Sequence, residues 1–226
     1  MDAPITRARL PTAVALVAFD FDGTLSDNEM TVLLGRQVDA EAEMAAVTAR
    51  AMNGELPYAE SLRERVALLE GLDLAAVARA FDEVRLRPGA ADVLRALAAA
   101  GVPTAILTGG FERGVEAALA RESVAVDRLV ANRLLDADGA LTGAVEGPLV
   151  EGTKDDALAA VAADFDVPLA DTVAVGDGAN DRPMLAAAGL AIGYEPKPAV
   201  TDVVDETVDS MAALEALLRR CGVLPA

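Results

Sequence analysis

The sequence predicts an α/β fold, a doubly wound parallel sheet interrupted after its first strand by an all-helical segment. Three observations carry that expectation. Apolar runs without alternation, such as Val14-Ala15-Leu16-Val17-Ala18-Phe19, read as strands buried on both faces. Segments of helical periodicity with short loops stand between those runs, which is the alternation of a parallel sheet. Carboxylates, hydroxyls and glycines gather where the runs stop, and parallel sheets bind ligands at the carboxyl ends of their strands.

The first dozen residues, with Arg7 and Arg9, read as a short arm before the first strand. They lack a small-residue cleavage site, and no uncharged apolar stretch of about 18 residues occurs, so a cytoplasmic chain with no membrane span is expected. From residue 27 to 84 the pattern is helical: Leu33, Val38, Met44, Val47 and Met52, then Leu62, Val66 and Leu69, and past a Gly71 break Leu74, Val77 and Phe81. This segment contains no buried-strand run. It reads as an inserted helical domain, residues 27–84, set into a core of residues 1–26 and 85–226. The chain returns at Arg87-Pro88-Gly89, where proline suits the first turn of a helix over 90–100.

A second buried strand over 102–107 is expected to end in Thr108-Gly109-Gly110, followed by a helix over 114–121. Residues 129–135 and 140–145 flank Asp136-Ala137-Asp138-Gly139 and predict a hairpin with glycine in its loop. Then come a helix over 154–165, a strand over 172–175, a helix opening near Asn180 to Pro183, a short strand over 190–192 and a last helix over 210–220.

Composition narrows the chemistry. The 226 residues include no histidine, which excludes a Ser-His-Asp triad, a phosphohistidine and imidazole-bound zinc, and leaves acid and base work to carboxylates, Lys or Tyr. The single cysteine, Cys221, is followed by no anion-binding loop, so a cysteine phosphatase and intrachain disulfides are excluded too. With 37 acidic against 19 basic residues and a net charge of −18, nucleic acid and anionic membranes are poor partners. The same excess of acid suits a solvated surface, or adaptation to high salt.

Four clusters at strand ends carry the chemistry. Asp20 and Asp22 leave the first strand on one side, with Gly23 turning the chain behind them. Thr108-Gly109-Gly110 offers a hydroxyl and closely approachable amides to a phosphoryl oxygen. Lys154 opens a helix, where it reads either as a solvent-facing residue or as a counter-charge for phosphate. Gly176-Asp177-Gly178-Ala179-Asn180-Asp181 crowds oxygen ligands at a strand end, a donor set for a hard cation such as Mg²⁺. Taken singly, each cluster also reads as a polar turn.

Together, and in this order, the clusters resemble the haloacid dehalogenase superfamily of aspartate-nucleophile phosphatases over residues 14–193. Within it the chain is most similar to the phosphoserine phosphatase family, through Asp20-Phe-Asp-Gly-Thr-Leu, Asn28-Glu29, Ser61-Leu-Arg-Glu-Arg-Val66, Thr108-Gly-Gly-Phe111, Ala131-Asn-Arg-Leu134 and Val173-Ala-Val-Gly-Asp-Gly-Ala-Asn-Asp181. Two positions depart from that family's usual pattern, which more often has serine where Gly23 and Thr108 stand.

The resemblance implies a Rossmann-like core with a helical cap that opens and closes. It implies Asp20 as nucleophile and Asp22 as acid and base, with Asp20, the Asp22 carbonyl and Asp177 on Mg²⁺. Thr108, Gly109 and Lys154 would stabilise the transferring phosphoryl group, with Asn180 beside the phosphate and Asp181 orienting the metal site from behind. Glu29 and Arg65 match the groups that bind the ammonium and carboxylate of O-phosphoserine, with Met52 and Tyr58 as apolar walls, and Arg63 would face elsewhere. Another small phosphomonoester, or transfer to an alcohol in place of water, stays open, as does monomer or homodimer. A signalling receiver lacks both the acid at Asp22 and the helical segment.

Overall fold

The computed structural model describes residues 16–52 and 55–225. Seven strands form one sheet: β1 (Leu16–Phe19), β2 (Thr104–Phe111), β3 (Arg128–Ala137), β4 (Ala140–Glu146), β5 (Thr172–Gly176), β6 (Leu190–Tyr194) and β7 (Glu206–Val208). Their order is β4-β3-β2-β1-β5-β6-β7, parallel throughout except for the β3–β4 hairpin. The chain leaves β1 for β2 on one side and later reaches β5 on the other, so the crevice at the carboxyl ends of these three strands is a topological switch point.

Alternating side chains of the central strands feed two separate cores. Val17, Phe19, Ile106, Val173, Val175 and Ile192 enter the larger one. Leu16, Ala18, Ala105, Leu107, Ala174 and Ala191 enter the other. Both faces are therefore covered, as the uninterrupted apolar runs predict. Helices α5 (Ala90–Ala99), α6 (Glu112–Arg121) and α10 (Met211–Arg220) close the first face; α8 (Lys154–Asp164) and α9 (Arg182–Ala187) close the second. A single turn, α7 (Pro148–Glu151), links β4 to α8.

Between β1 and α5 lie four helices, α1 (Met30–Arg36), α2 (Glu41–Met52), α3 (Tyr58–Ala67) and α4 (Leu74–Phe81). Asp73 caps α4 by accepting from the Ala76 amide at 2.8 Å. Their apolar faces contribute Met30, Leu34, Leu62, Val66 and Phe81 to the larger core. The two strands of chain that connect them to the sheet run side by side: Ser26 bridges Leu86, and the Arg87 amide donates to the Leu25 carbonyl at 2.8 Å. On their far side, Gly71 donates to the Leu141 carbonyl and the Leu74 amide to that of Gly139, so the helices also rest on the hairpin.

Several boundaries differ from the sequence expectation. The start expected at Val14, and the N-terminal arm, lie outside the described residues. Strand β2 does not stop at Leu107 but runs through Thr108-Gly109-Gly110 to Phe111, because pairing with β3 breaks after Leu107 and resumes at Phe111 opposite Asn132. Pro88 stands before α5 rather than in its first turn, since Gly89 at φ +86° forms the left-handed N-cap. The hairpin strands are longer than expected, joined by Asp138 (φ +52°) and Gly139 (φ +84°), a two-residue turn whose twist matches the strands. The periodicity missed β7 and α7, both of only three or four residues.

Candidate active site

The carboxyl ends of β1, β2 and β5 bring three of the four clusters together, and the first residue of α8 adds the fourth. Asp20 follows β1, and its amide donates to the Val175 carbonyl of β5 at 2.9 Å, which fixes the two strand ends side by side. Lys154 is buried, with only 4% of its side chain exposed, and its Nζ lies 2.5 Å from both Asp20 Oδ1 and Asp181 Oδ1. The reading of Lys154 as a solvent-facing residue therefore fails. Burial works against its ammonium, yet the two carboxylates hold its pKa above the ordinary lysine value.

Asp181 is the fixed member of the cluster. Its Oδ2 accepts from the amides of Asp177 and Gly178, each at 2.9 Å, while Oδ1 meets Lys154. Both oxygens are thus engaged, and Asp181 shapes the Asp177 loop. Asp20, Asp177 and Asp181 each offer an oxygen within 4.8 Å of the others, all on buried residues. The convergence of three carboxylates gives an all-oxygen donor set, which fits a hard divalent cation. Gly23 makes that convergence possible: it sits at φ +89°, and a β-carbon there would stand 2.6 Å from Asp177 Oδ2.

Asp22 points toward the helices. Its Oδ2 accepts from the Met30 amide at 3.4 Å, and its Oδ1 is buried without a partner among the described residues. Burial, then the nearby charges of Glu29 and Asp20, hold its carboxyl well above the usual range. Asp20 is also raised, by burial first and Asp181 next, against the opposing pull of Lys154.

The β2 bulge presents the phosphoryl-binding candidates. Thr108 Oγ1 accepts from the Gly110 amide at 3.0 Å, which leaves its hydroxyl hydrogen to donate elsewhere. Asn132 is fully buried, donates to the Gly109 carbonyl at 3.0 Å and accepts from the Leu149 amide, also at 3.0 Å. It ties the bulge to β3 and α7. The residue lies in the Ala131-Asn-Arg-Leu134 motif, and its role there is to brace the backbone.

Glu29 is exposed at the N-cap of α1, without a capping hydrogen bond, and acts electrostatically on Asp22. Arg65 is half-buried on α3, donating to the Ser61 carbonyl at 3.2 Å and to Thr31 Oγ1 at 3.4 Å. Arg63 faces away, as its spacing predicts, and pairs with Glu151. Tyr58 offers more than an apolar wall. Its hydroxyl overhangs Gly109, where a β-carbon would lie 1.9 Å from the oxygen, while 41% of the residue stays exposed. Met52 ends α2, and its side chain lies outside the described residues. Asn180 is exposed on the turn after Gly178.

One residue escaped the sequence reading. Lys197 Nζ lies 2.7 Å from Asp177 Oδ2. Its only signal was a lysine between two prolines shortly after a strand. A separate groove of about 550 Å³, beside Arg128, Ala131, Thr153 and Ala157, contains none of the site's carboxylates and is no rival to it. No helix among the described residues is long and apolar enough to cross a membrane.

Residues 17–186 match the haloacid dehalogenase-like hydrolase family. The chain is 54% identical over 210 residues to a phosphoserine phosphatase of Halobacterium salinarum, an alignment that covers 93% of this chain and 100% of that protein. A solved phospho-aspartyl intermediate analogue of phosphoserine phosphatase superposes with a TM-score of 0.82 at 36% identity, covering 91% of this chain and 98% of the other. A substrate-bound phosphoserine phosphatase complex gives the same TM-score and identity, with 90% and 96% covered.

Proposed function

The chain belongs to the haloacid dehalogenase-like hydrolase family, and from that premise we propose that it is a phosphoserine phosphatase, converting O-phosphoserine and water to serine and phosphate. The observation that carries the reading is Lys154, held between Asp20 and Asp181 at the switch point of the sheet, with Asp177 beside them. A buried lysine between two carboxylates positions a nucleophile while supplying positive charge for an incoming phosphoryl group.

In the proposed reaction, a carboxylate oxygen of Asp20 forms a bond to phosphorus as the bond from phosphorus to the serine oxygen breaks. Asp22 gives its proton to that departing oxygen. The carboxylate so formed then takes a proton from the water that attacks the aspartyl-phosphate, which releases phosphate and restores Asp20. Asp22 suits both tasks because its Oδ1 is buried without a partner among the described residues, and burial with the nearby charges of Glu29 and Asp20 raises its pKa well above the usual carboxyl value, which favours the protonated form. The Thr108 hydroxyl, the Gly109 backbone and Lys154 take up charge on the phosphoryl oxygens, with Asn180 at the rim. Asp20, the Asp22 carbonyl and Asp177 would hold Mg²⁺, which when bound neutralises phosphoryl charge and organises the in-line arrangement.

Residues 27–84 act in this reading as a cap over a core of residues 1–26 and 85–226. Glu29 receives the substrate ammonium and Arg65 its carboxylate, with Tyr58 closing one side. The cytoplasm is the compartment that fits such a metabolite.

The test is phosphate release from O-phosphoserine with Mg²⁺, beside phosphothreonine, glycerol phosphate and a nucleoside monophosphate, in wild type and Arg65→Ala. A preference for phosphoserine that Arg65→Ala abolishes supports the reading. Equal rates on all four substrates would keep the aspartate chemistry and remove the assignment of Glu29 and Arg65.

A further inference from the structure

Lys197 has no task in the reaction above, yet it is aimed at the site. The segment after β6 holds it there: Glu195 takes a left-handed φ of +42°, prolines flank the lysine on both sides, and the Lys197 amide donates to the Asp177 carbonyl at 2.8 Å. Its ammonium lies 2.7 Å from Asp177 Oδ2 and passes over Gly178, where a β-carbon would stand 3.8 Å from it. Glu29 acts on the same ammonium electrostatically.

The two lysines of the site differ in one decisive respect. Lys154 is enclosed and gripped by two acids. Lys197 is 54% exposed against 7% for its partner, so its long side chain reaches Asp177 from solvent and can withdraw without opening the core. An ammonium and a divalent cation compete for the same carboxylate, and each repels the other.

We propose that Lys197 is the resident counter-cation of the metal-free site: its ammonium holds Asp177 until a divalent cation displaces it. The lysine thereby keeps three converging carboxylates compatible with the folded state before metal arrives, and sets the affinity at which metal enters. This inference rests on the reading of Asp177 as a metal ligand.

Calorimetric titration of the metal-stripped full chain with Mg²⁺ tests it, in wild type, Lys197→Gln, Lys197→Met and Lys197→Arg. Both neutral variants are expected to bind Mg²⁺ more tightly by roughly five-fold, the upper reach of a partly exposed ion pair, and Lys197→Arg to stay near wild type. In EDTA the neutral variants should melt below wild type, and with saturating Mg²⁺ the difference should close. Unchanged or weaker Mg²⁺ binding in the neutral variants, with wild type binding normally, overturns the role of Lys197 alone. No saturable Mg²⁺ binding by wild type overturns the metal reading of Asp177 and this one with it.

Discussion

The Tyr58 hydroxyl lies directly over Gly109, so that a β-carbon on residue 109 would come within 1.9 Å of it. Helix α3, which Tyr58 opens, thus rests against the bulge in β2, and the fit between helical segment and sheet is set at a residue of the phosphoryl site. Gly109→Ala should turn the partly exposed Tyr58 ring away from the bulge and set a methyl beside the phosphoryl group, displacing the bound substrate. A fall in kcat/KM of roughly 100-fold is expected, the scale of an ångström-sized misplacement. Steady-state kinetics beside a thermal melt check it, and retained kcat/KM would show that the Tyr58 ring adjusts without disturbing the bound phosphoryl group.

Asp20 and Asp22 are separated by one residue but take opposite surroundings, one against Lys154 and the other toward Met30. Asp20→Asn should abolish both turnover and covalent labelling by labelled phosphoserine. Asp22→Asn should lower kcat by roughly 10²- to 10⁴-fold, the usual worth of a general acid, while labelling persists at a reduced rate. Loss of labelling to the same extent in both variants would contradict the division of roles.

Proton and metal compete for the same oxygens, which ties stability to pH. The Asp20 carboxyl is pushed up to about 8, and Asp22 is raised as well, both chiefly by burial. A carboxyl raised above its unfolded value of about 4 adds stability below that value and loses it as pH rises through the folded pKa. In EDTA Asp20 should therefore lower Tm progressively from about pH 4 to about pH 8, and Asp22 should add a loss of the same sign. Mg²⁺ is expected to raise Tm more at about pH 8 than at about pH 5, since binding requires the deprotonated carboxylates. Equal Mg²⁺ shifts at both pH values, read by melting at matched ionic strength, would be inconsistent with proton competition.

The net charge of −18 places strong self-repulsion on a fold of this size. Raising KCl from low to molar concentration should increase Tm, because screening relieves repulsion between exposed carboxylates. A flat or falling Tm across that range would reduce the acidity to a solubility feature.

How much of this was legible beforehand follows from the range of each interaction. The buried strands announced themselves because residues covered on both faces have no polar alternation, and Asp20, Thr108, Lys154 and Asp177 were visible because each stands at the edge of such a run or a helix start. Strand β7 was hidden because Glu206-Thr207-Val208 is too short to carry a period. The run of β2 past Leu107 was hidden because it depends on Phe111 finding Asn132 across a bulge, a pairing between distant parts of the chain.

Fold class, the four chemical clusters and their order can be read along the chain, since these rest on local periodicity and on residue types whose chemistry is their own. Packing of the folded chain is what buries Lys154 between Asp20 and Asp181, sets the Tyr58 hydroxyl over Gly109, lets Asn132 brace the bulge and brings Lys197 to Asp177. Each of these is a contact between residues far apart in sequence. Burial and charge at such contacts arise from packing, which no single segment encodes.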